Sequence, residues 1–134
     1  MRTSWLSVQT PGYGPDGRAP ARFHIETVPE RDVVRVSPVG EIDLSTVGDI
    51  RRELRDLRRV GFMRLVLDLS GTTFLDSTGL HLILEEYASA QADGAQFAIV
   101  AGPPEVQRVF DLTGLGAQLP FSDPAELSNG AAWA

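Results

Sequence analysis

The sequence predicts a single α/β domain, a mixed five-stranded sheet with helices mainly on one face. Three observations carry that expectation. Two strand-like runs near the start are separated by a turn-sized gap, which marks an antiparallel hairpin. Two later runs, RLVLDLS (residues 64–70) and QFAIVA (96–101), are almost continuously apolar, the pattern of strands buried on both faces of a parallel sheet. The stretches that follow the strands carry apolar residues at spacings of three and four, one face of a helix. Parallel neighbours joined through a helix need a right-handed crossover, so these helices belong on the same side of the sheet.

Residues 22–28 place Phe23 and Ile25 on one strand face, with His24 opposite, and residues 32–39 form a Val-rich second strand; Pro29-Glu30-Arg31 supplies the turn. Residues 46–59 carry Val47, Ile50, Leu54 and Leu57 on one helix face, and Thr46 with Asp49 three residues later reads as a capping-box-like start. The arginines of 51–59, interrupted by Glu53 and Asp56, read as a solvated face of that helix. After the strand at 64–70 comes a polar loop, Gly71-Thr72-Thr73, then Phe74-Leu75-Asp76. Residues 77–91 carry Leu80, Ile83, Leu84, Tyr87 and Ala88 at helical spacing, and Asp93-Gly94 ends the helix. Pro104 suits the first turn of a helix over 104–112, with Gly114 as its stop. A short strand over 118–121 and a helical turn over 124–127 close the domain. The domain is expected to span residues 21–127, between a Gly- and Pro-rich flexible extension (1–20) and a loose tail (128–134).

A chain of 134 residues fits one domain, because it buries roughly 65–70% of its unfolded surface and division would leave two weak cores. The absence of Cys removes disulfides, thiolate catalysis and sulfur-ligated zinc. With His24 and His81 as the only histidines, a metal centre would need carboxylates in unusual number, so no metal or other cofactor is expected. A net charge of −6 argues against direct nucleic-acid binding, which calls for a basic stripe. No apolar run has the length of a signal-peptide core or a membrane span, so a cytoplasmic location with no membrane partner is expected.

Loops that leave the carboxyl ends of parallel strands and open into helix N-termini are the default functional positions of such sheets. The loop over residues 70–77 is so placed, and it holds Ser70, Thr72, Thr73 and then Asp76-Ser77-Thr78 at a helix start, with Gly79 opening the first turn. A hydroxyl there has two uses: it caps the helix, or it accepts a phosphoryl group that the free N–H groups and helix dipole stabilise. Spacing alone leaves both open.

The segment DLSGTTFLDSTGL (residues 68–80) closely resembles the phosphorylation segment of STAS-domain anti-sigma factor antagonists. GEIDL (40–44) and VFDLTGL (109–115) match the same family in order and in register along roughly residues 22–122. The resemblance implies a STAS fold and partner switching. In the family the Ser after Asp in this segment, here Ser77, is phosphorylated by a partner that is both anti-sigma factor and serine kinase. The unphosphorylated form binds that partner and frees sigma factor; the phosphorylated form releases it, and a phosphoserine phosphatase resets the cycle. Glu41 and Asp43 are expected to contact the kinase, the alternative being that Asp43 and Thr46 shape the turn into the first helix. Asp76, Thr78 and Gly79 join them as expected contacts, and Leu82, off the apolar stripe of its helix, is expected to present an apolar contact.

Two other readings compete. Ser77 and His81 lie one helical turn apart, so a Ser–His nucleophile is conceivable. Against it, no Gly-x-Ser-x-Gly motif and no assigned oxyanion donors accompany them, and no enzyme activity is expected. A STAS scaffold or nucleotide-sensing module without a sigma-factor role is the other, disfavoured by the lack of a Walker- or Rossmann-type loop.

Overall fold

The computed structural model describes residues 23–128. The expected extension over 1–20 lies outside them, as does the expected tail beyond residue 128. The hairpin forms between β1 (His24–Glu30) and β2 (Val33–Ile42), paired antiparallel from His24↔Val39 to Glu30↔Val33. Its turn is Arg31-Asp32, later than expected: Pro29 and Glu30 stay in the strand, and Arg31 takes the left-handed φ of 63° that a tight hairpin demands. β2 also runs three residues further than the sequence suggested, to Ile42.

The rest follows in the order α1 (Val47–Arg59), β3 (Arg64–Asp68), β4 (Thr72–Leu75), α2 (Ser77–Ala92), β5 (Gln96–Val100), α3 (Pro104–Thr113), a 3₁₀ turn (Leu115–Gln118) and α4 (Pro124–Ser128). The sheet runs β1-β2-β3-β5, with β4 pairing β2; every pairing but the hairpin is parallel. The mixed five-stranded sheet is therefore present, but its fifth strand is not the expected one. Residues 72–75 form a strand where a loop was expected, and residues 118–121 supply only a 3₁₀ end and a single Ile99–Phe121 bridge. Pro120 has no N–H to extend a ladder, which stops that segment from becoming a strand.

β4 is in effect a continuation of β3. The start of β2 (Val33–Val36) pairs with β3 and its end (Gly40–Ile42) with β4, so β3 and β4 lie end to end along one side of β2. Between them the Leu69-Ser70-Gly71 turn is held by Asp68, whose carboxylate accepts from the Ser70 N–H at 2.9 Å. Buried Thr72 fills the gap in the ladder by donating its hydroxyl to the Pro38 carbonyl at 2.9 Å.

The main core lies between the sheet and α1, α2 and α3, with Val34, Val36, Leu65, Leu67 and Ile99 from the strands meeting Ile50, Leu54, Ile83 and Phe110 from the helices. The opposite face carries a small cluster, Val66, Ala98 and Val100, which Leu127 of α4 partly covers. The four apolar positions expected on α1 are all buried. Its expected capping box is not: Thr46 makes no side-chain cap bond, and Asp49 pairs with Arg52 instead.

α2 departs most from its apolar pattern. It packs on α1, α3, β4 and β5, and its buried residues are Gly79, Leu80, Leu82, Ile83, Glu86 and Ala90, while Ala88 is exposed. Leu82 is 1% exposed and part of the main core, so the expected surface contact there does not exist. The buried arc is rotated because Glu86, fully buried, sits inside it. Arg55 on α1 holds one Glu86 oxygen with Nε and Nη2 at 3.2 and 3.0 Å, and Arg51 and Arg58 approach at 3.6 Å. The arginines of α1 are thus only partly a solvated face: Arg52 and Arg59 pair locally in water, whereas Arg51, Arg55 and Arg58 turn onto α2.

Removing the carboxylate strips Arg55 of its ion-pair partner and leaves Arg51 and Arg58 with Glu85 and Asp93; breaking a fully buried pair costs about 3–5 kcal/mol. Because Arg51 and Arg55 retain access to water, we expect Glu86→Gln to lose roughly 2–3 kcal/mol, after discounting for that screening. Urea unfolding at neutral pH checks this; a loss below about 0.5 kcal/mol would mean that the arginines find water as good a partner.

Candidate functional site

The β2–β4 ladder fixes the site. Glu41 pairs with Phe74 and Ile42 with Leu75, and the Asp76 N–H donates to the Ile42 carbonyl at 3.3 Å. The two segments singled out in the sequence, Glu41 to Asp43 and Asp76 to Thr78, therefore leave the sheet side by side. Ile42 and Leu75 point into the core; Glu41 and Phe74 point away from it and are exposed.

Asp76 is the N-cap of α2. Its backbone is extended, its carboxylate accepts from the Gly79 N–H at 3.0 Å, and its carbonyl accepts from the Leu80 N–H at 3.0 Å. Capping thus falls to Asp76, and Ser77 is left as the first residue of the helix. Ser77 is exposed, and among the described residues its hydroxyl makes no hydrogen bond. The N–H groups of Ser77 and Thr78 have no intrahelical acceptor, as the geometry of a first turn dictates. The hydroxyl therefore stands at the positive end of a helix dipole, with two amide donors near it and the Asp76 carboxylate next in the chain. Thr78 is half-buried in the first turn.

Gly79 was expected to keep this turn accessible to a partner. It is buried and faces inward: a Cβ there would meet Ile42 Cγ2 at 2.8 Å and Leu75 Cδ1 at 3.0 Å. Its smallness lets α2 close on the β2–β4 ladder, and it presents nothing outward.

On the other side of the ladder, Asp43 accepts from the Ser45 N–H at 2.9 Å and from the Ser45 hydroxyl at 2.6 Å. Its own N–H donates to Thr46 Oγ1 at 3.0 Å, and the Thr46 hydroxyl donates to the Glu41 carbonyl at 2.9 Å. Asp43 and Thr46 thus do shape the turn into α1, while the Asp43 carboxylate stays at the surface. The Ser45 hydroxyl holds the Asp43 carboxyl below its ordinary value of 3.8, with some desolvation opposing it and the Ser45 and Thr46 amides adding to the lowering.

Residues 40–46 and 72–80, which build this end of the sheet, contain no Arg or Lys, and their charged groups are the carboxylates of Glu41, Asp43 and Asp76. His81, one turn below Ser77, is exposed and makes no hydrogen bond to it. A cleft of about 590 Å³ lies between Arg55, Arg58, Arg59, Met63, Ser89 and Asp93. Its arginines are already engaged by Glu86, Asp93 and Asp56, which leaves little charge for an anion. Among the described residues no group of three or more His, Cys, Asp or Glu is arranged to hold a metal ion.

Residues 24–126 match the STAS domain model, and the chain belongs to the STAS domain family. An anti-sigma F factor antagonist of Paenibacillus polymyxa is 32% identical over 102 residues, covering 75% of this chain and 87% of that protein. An anti-sigma-B factor antagonist of Staphylococcus epidermidis is 29% identical over 93 residues, 69% of this chain and 86% of that one. The crystal structure of an anti-sigma factor antagonist from Mycobacterium paratuberculosis superposes with a TM-score of 0.74 at 28% identity, over 87% of this chain and 98% of that one. The anti-sigma factor antagonists of this family are non-catalytic regulators, and the chain is accordingly not an enzyme. No helix among the described residues is long and apolar enough to cross a membrane.

Two substitutions test this geometry. Gly79→Ala is expected to cost about 1–3 kcal/mol, because Ile42 and Leu75 are packed on their other sides; thermal unfolding reads it, and an unchanged midpoint would show that the ladder yields freely. Ser45→Ala is expected to raise the Asp43 pKa toward 3.8, followed by carboxyl NMR. Because the folded-state value is the lower one, the stability that Asp43 contributes is present above 3.8 and is lost as pH falls through the depressed folded value. Ser45→Ala moves that loss to higher pH.

Proposed function

We propose that this protein is an anti-sigma factor antagonist that works by partner switching, with Ser77 as the phosphate acceptor. The observation that carries the reading is the Ser77 hydroxyl itself: exposed, unbonded and at the start of α2, with its capping duty taken by Asp76. Relatives named anti-sigma factor antagonists over most of both chains support it. In this reading the unmodified protein binds an anti-sigma factor in the cytoplasm and so frees sigma factor. That partner is also the serine kinase: Ser77 Oγ attacks the γ-phosphorus of ATP, the bond to the bridging oxygen breaks, ADP leaves and the hydroxyl proton passes to a base of the partner. A phosphoserine phosphatase restores the hydroxyl by hydrolysis.

The switch follows from charge. Phosphorylation adds about −1.5 to −2 at neutral pH to a surface that already carries Asp76 beside the acceptor and Glu41 and Asp43 across the ladder. An interface packed against a neutral hydroxyl then encloses a dianion among carboxylates, and like-charge juxtaposition costs several kcal/mol. The Ser77 and Thr78 amides offset part of that cost within the phosphorylated protein itself. Glu41, Asp43 and Asp76 are the residues through which this reading gives the partner its discrimination, with Thr78 at the rim.

Incubation with the cognate anti-sigma factor kinase and ATP, followed by intact mass and site mapping, is expected to place one phosphoryl group on Ser77 and none on Ser77→Ala. Label elsewhere, or undiminished label in Ser77→Ala, rejects the site. Ser77→Asp is expected to bind the anti-sigma factor about tenfold to a hundredfold more weakly than wild type, a single carboxylate being a partial mimic of the dianion. Equal affinity by calorimetry removes the electrostatic switch.

A further inference from the structure

The acidic end of the sheet carries two large apolar side chains that the fold does not use. Leu44 is 79% exposed and Phe74 is 47% exposed. Leu44 follows Asp43 in the turn between β2 and α1, and Phe74 stands in β4 beside Glu41, with Leu75 between it and Asp76. Neither helps the core: Ile42 and Leu75, their neighbours in the ladder, do the packing there. The other exposed large apolar residues among the described ones, Val28, Val60, Met63 and Leu112, belong to other parts of the chain. Leu44, two residues past the end of β2, and Phe74, within β4, thus belong to the two segments of the same short ladder, which also carry Glu41, Asp43 and Asp76.

We propose that Leu44 and Phe74 are the two apolar anchors by which the anti-sigma factor kinase grips this protein, and that they supply affinity while the carboxylates around Ser77 supply the response to phosphorylation. This rests on the partner-switching reading above. Charge complementarity selects the occupant: a patch with Glu41, Asp43 and Asp76 around two apolar knobs, and no cation in the segments that build it, fits a basic-rimmed surface with an apolar recess. A second copy of this chain would bring the same carboxylates against themselves. Apolar anchors respond to burial and not to charge, so their contribution is the same whether or not Ser77 is modified. They take the place of Leu82, which the fold buries.

The test uses the full chain with its cognate anti-sigma factor kinase. Burying a Leu or Phe side chain is expected to change affinity by roughly tenfold to a hundredfold. Leu44→Ser and Phe74→Ser are therefore each expected to weaken binding by that factor and to raise the KM for phosphorylation in parallel, with kcat unchanged. Val60→Ser, at the far end of α1, is expected to bind as wild type. The same factor of weakening is expected in the Ser77→Asp background. Melting temperatures near wild type for both variants show that binding, and not folding, has changed. If wild type binds its partner and is labelled on Ser77 while Leu44→Ser and Phe74→Ser bind within twofold of it, the anchors are wrong and partner switching stands. A fall in kcat at unchanged KM also overturns the assignment, because it would place these residues in the transfer step. If wild type neither binds nor is labelled, the partner-switching reading fails and the anchors fail with it.

Discussion

The pairing of β4 with the last residues of β2 is the constraint on which the site depends. A strand of four residues is too short to hold itself, and β4 is kept in place by Ile42 and Leu75 in the core, by Thr72 on the Pro38 carbonyl and by Gly79, which lets α2 press on the ladder from above. From that ladder the chain departs on one side through Asp43 into α1 and on the other through Asp76 into α2. The buried Glu86 then ties the two helices to each other further down, where three arginines of α1 surround it. Two helices that start from adjacent strand ends and are joined by a charge cluster have little freedom to move Ser77 relative to Asp43.

This arrangement separates two tasks that a regulatory surface has to combine. The framework beneath is apolar and closed, with Ile42, Leu75, Gly79 and Leu80 all buried. The layer above is small, polar and free: one hydroxyl with no partner, carboxylates held by local turns, and two apolar side chains left in water. Changing the charge of the upper layer does not require the lower one to yield. Asp43 illustrates the division, since its backbone and Ser45 fix the turn while its carboxylate remains outside.

Much of the fold could be read from periodicity. The strands at 64–68 and 96–100 announced themselves as apolar runs, α1 buries the four residues its spacing selected, and Gly114 stops α3 with a φ of 72°. Reading failed where short-range chemistry hid a tertiary role. Thr72 and Thr73 resembled a polar loop, yet Thr72 is buried because its hydroxyl satisfies a carbonyl that proline-containing β2 leaves open. Glu86 counted as polar and so pushed the apparent apolar stripe of α2 to one side, which took Leu82 out of the core on paper; only the arginines of α1, a helix away, make a buried acid tenable. Of the residues proposed for the site, Ser77, Asp76, Glu41 and Asp43 come together on the ladder as their motifs implied, while Gly79 and Leu82 turn inward. Leu44 had no signal of its own: it continues the even-numbered alternation of β2 and lies three residues before Val47, so periodicity alone would place it in the core, yet it is exposed because the strand ends at Ile42.

The unbonded state of Ser77 also bears on time. An exposed side chain of this kind changes rotamer in picoseconds to nanoseconds, whereas rearrangement of packed elements takes microseconds or longer. A group attached to Ser77 would therefore be visible to a partner as soon as the covalent bond exists, and would vanish from view as soon as that bond is cut. No refolding step would delay either edge of the signal, and its duration would be set by the enzymes that write and erase the mark.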